Sequence, residues 1–261
     1  MDDFRFTDGA AYERFMGRWT RAVGAEFLGW LAMPKGRDWL DAGCGTGVFT
    51  ELLLEQARPG RIVAVDPAPA QIAFARKKAL PDNVVFEVAD AQELPFPDAC
   101  FDVVASALVL NFIPDRARAM AEMRRVTRPG GCVAGYVWDF TGPLSVTRHV
   151  TAALRAIEAK AAPIPGLEST KRDALQALFD GAGLTQAETR AIEVEVAFPD
   201  FDAYWRAFLD NPSPASAFIT SMTAPGRDAL RADVEARLPV AADGAIAFVS
   251  RAHAARGFAA A

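Results

Sequence analysis

The stretch that decides the fold is Trp39-Leu40-Asp41-Ala42-Gly43-Cys44-Gly45-Thr46-Gly47. Residues 38–42 predict a short buried strand, and residues 46–57 predict the helix that follows it. Three glycines therefore lie at a strand-to-helix turn, where a missing Cβ permits positive φ angles and lets a ligand approach the backbone. In open α/β sheets, ligands bind in the crevice at the carboxyl ends of the strands. The stretch predicts a ligand-binding loop in an α/β fold.

Acidic residues end three successive predicted strands around this loop. Asp41 precedes the glycines, Asp66 ends a strand at 61–66, and Asp90 follows a strand at 83–89. Asp66 is placed to accept hydrogen bonds from ribose hydroxyls. Asp90 is placed to accept from an adenine amine, and Asp41 to orient the loop or hold an ammonium group. Three carboxylates in these positions favour a ligand site over a solvated surface.

The glycine spacing separates this loop from two familiar nucleotide-binding patterns. The dinucleotide fingerprint has its third glycine three positions after the second. Here that position is Val48, and the third glycine comes early, at Gly47. No Gly-Lys-Ser/Thr follows, so the loop is not a phosphate loop. An acidic residue beside the glycines suits an ammonium and a sulfonium better than a pyrophosphate. A tight turn without a ligand and an NAD-dependent oxidoreductase stay open as alternatives.

Strands and helices alternate outward from the loop. Further strands are predicted at 101–107 and 132–138, and helices at 69–80 and 114–128, the second ending at Pro129-Gly130-Gly131. This alternation predicts a parallel sheet with helices on both faces. Around it we expect helices at 10–33, 145–162, 170–182, 201–209 and 227–238, with a break at 211–214. We also expect a strand at 187–198 and a last strand at 245–250 before an alanine-rich tail.

Length and composition favour one globular domain. The chain has 261 residues, of which 51% are hydrophobic. We expect a single domain over 1–261, with a helical cap at 1–35, a cofactor-binding core at 36–140, and a substrate-side half at 141–261 that carries a helical lid at about 199–240. No internal repeat or low-complexity linker divides it.

Charge and cysteine usage exclude several classes of protein. A net charge of −5 gives no electrostatic footprint for nucleic acid. Three scattered cysteines and two histidines fit reduced thiols in a cytosol and predict no metal site. The longest apolar stretch, at 103–113, is shorter than the roughly 20 residues of a membrane span. The N-terminus lacks the basic and apolar regions of a signal peptide. We expect a cytoplasmic protein.

A set of motifs in a fixed order carries a family resemblance. The motifs are the Asp41-to-Gly47 loop, Val63-Ala64-Val65-Asp66-Pro67, Ala89-Asp90-Ala91-Gln92-Glu93-Leu94-Pro95-Phe96, Phe101-Asp102-Val103-Val104, and Glu122-Met123-Arg124-Arg125-Val126 running into Arg128-Pro129-Gly130-Gly131. With them the sequence resembles the class I S-adenosylmethionine-dependent methyltransferases, in the branch of ubiquinone/menaquinone-biosynthesis enzymes and many small-molecule enzymes. The motifs cover roughly 37–138, and residues 12–19 resemble the family's cap. The second half resembles the family only in layout.

The resemblance implies a fold and a cofactor site. The fold would be a Rossmann-like, doubly wound α/β sheet of seven mostly parallel strands, with an antiparallel last strand, an N-terminal helical cap and a helical insertion before the last strand. The cofactor would be S-adenosylmethionine, with S-adenosylhomocysteine as its product. Its implied contacts are Arg18, Asp41, Gly43, Gly45, Gly47, Ser106 and Ala107 on the methionine part, Asp66 on the ribose, and Pro67, Ala68, Asp90 and Ala91 on the adenine.

The acceptor is expected at the ends of the fourth and fifth strands. Substrate contacts are predicted at Leu108, Asn111, Phe112 and Trp138, with Trp205 from the lid. Transfer from a sulfonium mainly needs alignment and exclusion of water, and a base matters only if the acceptor must lose a proton. The candidate catalytic residues are His149, Tyr136 and Asp139; His149 leads because its ordinary pKa is near neutrality. The alternative readings are a surface histidine and a core tyrosine. His253 is placed in the tail and receives no role.

We interpret the chain as a methyltransferase acting on a small molecule, and two other readings stay open. One is a protein that binds the cofactor or its demethylated product without transferring methyl. The other is a macromolecule methyltransferase, which the acidic charge disfavours. The Asn-Pro-Pro-Tyr motif of many base-amino methyltransferases is also replaced here by Ser106-Ala107-Leu108-Val109. The acceptor, the atom methylated, and the choice between monomer and homodimer are left open.

Overall fold

A computed structural model describes residues 9–142, 147–157, 164–210 and 213–260. Its helices are α1 (Gly9–Leu31), α2 (Val48–Leu52), α3 (Pro69–Ala75), α4 (Arg116–Val126), α5 (Arg148–Ala156), α6 (Arg172–Gly181), α7 (Phe201–Asp210), α8 (Pro214–Ser221) and α9 (Ala224–Ala236). Its strands are β1 (Asp38–Ala42), β2 (Arg61–Asp66), β3 (Val84–Val88), β4 (Phe101–Ala107), β5 (Thr127–Trp138), β6 (Thr185–Phe198) and β7 (Ile246–Phe258).

The seven strands form one sheet in the order β3-β2-β1-β4-β5-β7-β6. Strands β1 to β5 pair in parallel, and β7 runs antiparallel to both of its neighbours. The predicted seven-stranded, mostly parallel sheet with an antiparallel last strand is confirmed. The order reverses between β1 and β4, and this switch point places the crevice beside the glycine loop.

Both faces of the sheet are covered, which explains why the central strands are nearly continuous apolar runs. On one face, which we call the α1 face, Trp39 and Tyr136 pack with Phe27 of helix α1. On the other, the α4 face, Leu40 and Val104 pack with helices α4 and α6. Neighbouring residues of β1 therefore serve opposite cores, as the two-residue period of a strand requires.

Strands β6 and β7 continue beyond the end of β5. Trp138, the last residue of β5, pairs with Ala252, whereas β6 and β7 stay paired as far as Phe198 and Ile246. Residues 193–198 and 246–251 thus form a two-stranded arm about 20 Å long at roughly 3.3 Å per residue. Helices α7 to α9 connect the two strands of the arm, so the predicted helical insertion before the last strand is present.

The C-terminal strand differs most from the sequence prediction. Residues 251–258 are not a tail: they continue β7 and pair with β5 on one side and β6 on the other. His253 lies in this strand opposite Val137 and Ala191. Small alanine side chains give little β-propensity, but a strand flanked on both sides gains hydrogen bonds and packing that override it.

Several other element bounds also need correction. Helix α4 ends at Val126, and β5 starts at Thr127, so Pro129 lies inside a strand rather than ending a helix. The register of β4 and β5 shifts at this point, between Phe101 and Val103, and strand prolines are tolerated at such irregularities. Helix α3 ends at Ala75 instead of residue 80. Helix α2 passes into a π-helical turn at Leu53–Ala57. Helix α8 begins inside the expected break at 211–214.

Candidate functional site

The glycine loop folds tightly over the end of β2. The amides of Gly43 and Cys44 both donate to the Val65 carbonyl oxygen, at 2.7 and 2.9 Å. All three loop glycines have positive φ, 85° at Gly43, 53° at Gly45 and 86° at Gly47. A Cβ at Gly43 would lie 2.6 Å from the Val109 side chain, whereas a Cβ at Gly45 would meet nothing within 4 Å. The loop is therefore packed at Gly43 and open at Gly45, where a ligand can approach the backbone.

Asp66 is held rigidly at the exit of β2. Its Oδ2 accepts from the Gly45 amide at 3.0 Å and its Oδ1 from the Ala68 amide at 2.9 Å. Burial raises the pKa of this half-buried carboxyl, and the two amide hydrogen bonds oppose the rise. Each oxygen keeps a further lone pair, so both can accept from neighbouring hydroxyls. Pro67 is exposed beside it, and Ala68 caps helix α3.

Asp41 lies fully buried beneath the loop. Its Oδ2 accepts from the Thr50 hydroxyl at 2.6 Å, and its Oδ1 has no hydrogen-bond partner among the described residues. Burial raises its pKa to about 7, against the Thr50 hydrogen bond and with a smaller contribution from Asp66. A buried carboxylate with one unsatisfied oxygen is stabilised by a nearby cation. The Cys44 thiol beside it has a pKa raised by the same burial, which makes it a poor nucleophile.

Asp90 follows the neighbouring strand, at the same edge of the sheet. Val88 at the end of β3 pairs with Asp66, so the two carboxylates come from adjacent strand ends. Asp90 is exposed, and both of its oxygens lie 3.0 Å from the side-chain amide of Gln92. Ala91 is buried next to it. Sequence reasoning missed Gln92, whose only signal was its position inside the Asp90-to-Phe96 motif.

The exit of β4 faces the glycine loop. Asp41 pairs with Ala105, so Ser106 and Ala107 follow directly beside the loop. The Ser106 hydroxyl is buried without a hydrogen-bond partner in the part of the chain described. Leu108 has a φ of 61°, a conformation that costs energy for a branched side chain and often occurs at functional sites.

Arg18 belongs to the part of α1 whose side chains are outside the described structure. Its pairing with the methionine carboxylate stays a prediction. The following residues of α1 are described, and Trp19 and Thr20 are buried against the molecule. Helix α1 thus covers one side of the sheet, as expected for a cap.

Tyr136 lies in the core and not in a pocket. Its ring is fully buried, 4.7 Å from the Phe27 ring and 5.9 Å from the Phe49 ring between centroids. Its hydroxyl faces helix α1, since a Cβ at Gly24 would lie 3.2 Å from it. This position favours the alternative of a core tyrosine, and a role of Tyr136 as a base stays a prediction.

Asp139 organises the chain after β5. Its Oδ1 accepts from the Gly142 amide at 2.7 Å and from the amide and hydroxyl of Thr141 at 3.2 and 3.0 Å. Its Oδ2 lies 3.7 Å from the His253 Nε2, and the His253 Nδ1 lies 2.8 Å from the Thr170 carbonyl oxygen. Asp139 is buried and bound to its own loop, and a role as a base stays a prediction. No local pattern pointed to His253, because an alanine-rich tail was expected there.

His149 is the leading candidate base. It lies half-buried on α5, with its ring 5.7 Å from the Phe248 ring of the β6–β7 arm. Burial lowers its pKa, and the charges of Arg148 and Arg237 lower it further. A histidine with a lowered pKa is neutral near pH 7 and can accept a proton.

The predicted substrate contacts fall into two groups. Leu108, Asn111, Phe112 and Trp138 lie at the exits of β4 and β5, where the Asn111 side-chain amide donates to the Pro165 carbonyl oxygen at 3.2 Å. Trp205 lies apart from them on helix α7, buried and stacked on Phe201 at 6.1 Å. The first group follows the ends of two paired strands, and Trp205 lies on the helical insertion; their contact with a substrate stays a prediction. Among the described residues, no three acidic, histidine or cysteine side chains form a metal-binding cluster.

Comparison with known proteins finds a matching protein family. Residues 40–135 match the family model described as a methyltransferase domain. The malonyl-(acyl-carrier-protein) O-methyltransferase of Serratia marcescens is 38% identical over 113 residues, which cover 43% of each chain. The demethylmenaquinone methyltransferase of Deinococcus radiodurans is 40% identical over 115 residues, 43% of this chain and 46% of that one. The matched region thus spans less than half the length of these relatives.

A solved structure extends the likeness of fold to the whole chain. The phosphoethanolamine N-methyltransferase 2 of Haemonchus contortus, solved with phosphomonomethylethanolamine and S-adenosylhomocysteine, superposes with a TM-score of 0.57 at 18% identity. The match covers 97% of this chain and 57% of that one. At this identity the likeness concerns the fold alone. No described helix is long and apolar enough to cross a membrane.

Proposed function

We propose that this chain methylates a small-molecule acceptor. The premise is that it belongs to the class I S-adenosylmethionine-dependent methyltransferases through its residues 40–135. The observation that carries the proposal is the open glycine loop with three carboxylates at one edge of the sheet. Asp41 is the next-to-last residue of β1, Asp66 is the last residue of the adjacent β2, and Asp90 follows the end of β3 by two residues. That set suits a ligand with a cation at one end and a ribose and an adenine at the other.

The cofactor lies along these strand ends in our proposal. The buried Asp41, one oxygen of which has no hydrogen-bond partner among the described residues, would lie beneath the ammonium group. Asp66, which the Gly45 and Ala68 amides hold in place, would accept from the ribose hydroxyls. The adenine lies beside Pro67 and Ala91, with its amine near Asp90. Ser106 and Ala107 complete the methionine side, where Arg18 would meet the carboxylate.

The transfer itself needs few catalytic groups. When bound, S-adenosylmethionine would supply an activated methyl group, which would bond to the acceptor atom as its carbon–sulfur bond breaks and leaves S-adenosylhomocysteine. The chain contributes alignment and the exclusion of water. Where the acceptor loses a proton, His149 receives it, because its lowered pKa keeps the imidazole neutral.

The acceptor enters from the exits of β4 and β5 in this proposal. The relatives named above are named for malonyl-(acyl-carrier protein) and for demethylmenaquinone, which are different acceptors, so neither acceptor is transferred to this chain. The lid contributes aromatic side chains, including Trp205, which favour a flat or apolar molecule. We further infer a cytoplasmic protein, monomeric or homodimeric and without a nucleic-acid partner, supported by the net charge of −5 and by three cysteines outside any disulfide.

Calorimetric titration tests the proposal. We expect micromolar binding of S-adenosylmethionine and S-adenosylhomocysteine and no binding of NAD. The Asp66→Ala variant loses a charged hydrogen-bond acceptor, so binding should weaken by about 1–3 kcal/mol. Glu55→Gln, a change at an exposed acid paired with Arg21, is the control and should bind as the wild type. Binding of NAD alone would refute the proposal, and binding without turnover on any acceptor would favour a cofactor-binding protein.

A further inference from the structure

Two buried polar groups at the exit of β5 have no hydrogen-bond partner. One is the indole Nε1 of Trp138, the last residue of β5, and the other is the hydroxyl of Ser250 in β7. Neither atom is bonded within the part of the chain that the structure describes, although the two residues are only 8% and 4% exposed. A buried polar group without a partner destabilises a fold, so each of these groups needs an explanation.

The strand register places the two side chains diagonally next to each other. Trp138 pairs directly with Ala252, and Ser250 precedes Ala252 by two residues along β7, so all three side chains point to the same face of the sheet. That face is the α1 face, since Trp138 and Ala252 pack in its core. Diagonal neighbours of an antiparallel pair are about 7–8 Å apart, which is within reach of an aromatic side chain. A single ligand atom can therefore meet both groups.

The chemistry of the two groups defines the atom that satisfies them. An indole N–H only donates, so the partner of Trp138 must be a hydrogen-bond acceptor. The Ser250 hydroxyl rotates freely and can donate to the same atom. An oxygen with two lone pairs, as in a carbonyl group, accepts from both.

The surroundings favour a neutral oxygen over a carboxylate. No lysine or arginine is buried among the residues that the structure describes. The nearest buried charge along the chain is the carboxylate of Asp139, which accepts from Thr141 and Gly142 in its own loop and would repel a second carboxylate. Removing a carboxylate from water without a cation costs far more than removing a ketone, ester or amide. The pair therefore suits the carbonyl group of a neutral molecule.

The two donors lie beside the candidate base. Phe248 precedes Ser250 by two residues and shares its face of β7. The Phe248 ring centroid is 5.7 Å from that of His149, and both residues are partly exposed. A flat molecule that enters between them has apolar ring surface along its body and the two donors ahead of it.

We propose that Trp138 and Ser250 are specificity-determining residues that bind a carbonyl oxygen of a neutral, flat methyl acceptor. This inference rests on the proposed function, in which the acceptor enters from the exits of β4 and β5. The Trp138 Nε1–H and the Ser250 hydroxyl each donate to one lone pair of that oxygen. A molecule without the oxygen leaves both groups unpaired, so the site discriminates against it.

Three aryl probes test the proposal on the full chain saturated with S-adenosylhomocysteine. Acetophenone carries a neutral carbonyl group, ethylbenzene has nearly the same shape without the oxygen, and benzoate carries a negative charge. In calorimetric titration, acetophenone should bind about tenfold more tightly than ethylbenzene, because it forms two hydrogen bonds that ethylbenzene lacks. Benzoate should bind more weakly than acetophenone.

Variants of the two residues isolate the hydrogen bonds from the packing. Trp138→Phe keeps an aromatic ring and removes the N–H, and Ser250→Ala removes only the hydroxyl. Each should weaken acetophenone binding by about threefold to tenfold and leave ethylbenzene binding unchanged. The control is Trp39→Phe, since the Trp39 Nε1 is also unpaired but lies opposite Val103 near the start of β4, away from the strand exits. This variant should bind both probes as the wild type does.

The indole proton of Trp138 gives a direct readout of the proposed contact. The chain has five tryptophans and therefore five indole signals in a proton–nitrogen correlation spectrum, and the signal missing from Trp138→Phe belongs to Trp138. Acetophenone should move this signal downfield, because the proton gains a hydrogen bond. The Trp39 signal, identified in the same way, should stay in place.

The outcomes separate this inference from the proposed function. If the wild type does not bind S-adenosylhomocysteine, the proposed function fails and the inference fails with it. If S-adenosylhomocysteine binds but acetophenone binds no better than ethylbenzene or benzoate, the inference alone is overturned. It is also overturned if the Trp138 signal does not move, or if Trp138→Phe and Ser250→Ala weaken acetophenone and ethylbenzene equally.

Discussion

At the scale of single residues, the carboxyl group of Asp41 links stability to pH. Its pKa in the folded chain is about 7, above an ordinary value near 3.9. Between these two values the folded chain holds a proton that the unfolded chain has lost. The stability of the free protein therefore falls as pH rises from about 4 to about 7 and is unaffected by this group above that range. The buried charge that the cofactor needs is thus a cost to the free fold.

The Asp41→Asn variant removes this titration. We expect the wild type to lose a few kcal/mol more than the variant in its free energy of unfolding between pH 4 and pH 7. The variant also loses the charge facing the ammonium group, so it should bind S-adenosylmethionine at least tenfold more weakly. Urea unfolding at a series of pH values and calorimetry measure the two effects. Parallel pH curves for the two proteins would show that Asp41 does not titrate in this range.

Two glycines of the loop should separate stability from binding. At Gly43 an added Cβ would lie 2.6 Å from Val109, and the residue would also have to adopt a φ of 85°. Gly43→Ala should therefore destabilise the fold by about 2–4 kcal/mol. At Gly45 the added Cβ meets nothing within 4 Å, and only the positive φ opposes it, at about 1–2 kcal/mol. That Cβ occupies the open side of the loop, so Gly45→Ala should bind the cofactor poorly while remaining folded.

Thermal unfolding and cofactor titration of both glycine variants check this contrast. We expect the larger loss of stability in Gly43→Ala, and a well-folded Gly45→Ala that binds the cofactor weakly. Normal cofactor affinity in Gly45→Ala would place the ligand away from the loop.

At the scale of elements, buried strands could be predicted closely and the last strand could not. The bounds of β1, β2 and β4 agree with the sequence to the residue, because each is an apolar run that ends at a charge or a turn. Residues 251–258 contain three alanines, a glycine and two arginines, and nothing local in them favours a strand. Their conformation is decided by pairing with β5 and β6, which are distant in sequence.

The candidate site was predictable to the same degree. The acids at the strand ends could be located because strand and turn patterns place them. Their partners could not, since Thr50, Gln92 and His253 are ordinary polar residues until the fold brings Asp41, Asp90 and Asp139 to them. Thr50 lies 9 residues from Asp41 and His253 lies 114 residues from Asp139, so neither contact carries a local signal; Gln92 lies only two residues from Asp90, but nothing in its residue type marked it as a partner.

At the scale of the whole molecule, one aromatic side chain joins the cap, the sheet and the lid. The Phe198 ring at the end of β6 lies 5.3 Å from Trp19 of α1, 5.2 Å from Tyr204 of α7, and 6.3 Å from Phe248 of β7. All these rings are on the α1 face of the arm. The packing of helices α1 and α7 on the arm therefore depends on this contact.

The Phe198→Ala variant tests that dependence. Loss of a buried aromatic side chain should lower stability by about 3–5 kcal/mol and release helices α7 to α9 from the arm. Phe179→Ala, at an equally buried aromatic residue of α6 on the α4 face, is the control. Limited proteolysis should cut residues 199–240 faster in Phe198→Ala than in Phe179→Ala. Equal cutting in the two variants would mean that the lid is held by other contacts.

The position of β7 between β5 and β6 also bears on how the protein is made. A ribosome delivers residues 127–138 and 185–198 well before residues 246–258, yet β6 has no place in the sheet until β7 has paired with β5. During synthesis the edge of β5 and the whole of β6 are exposed, and unpaired strand edges are templates for aggregation. The exposed glutamates at positions 188, 193 and 195 along β6 oppose such pairing by charge. The nascent chain thus carries its own protection until its final strand arrives.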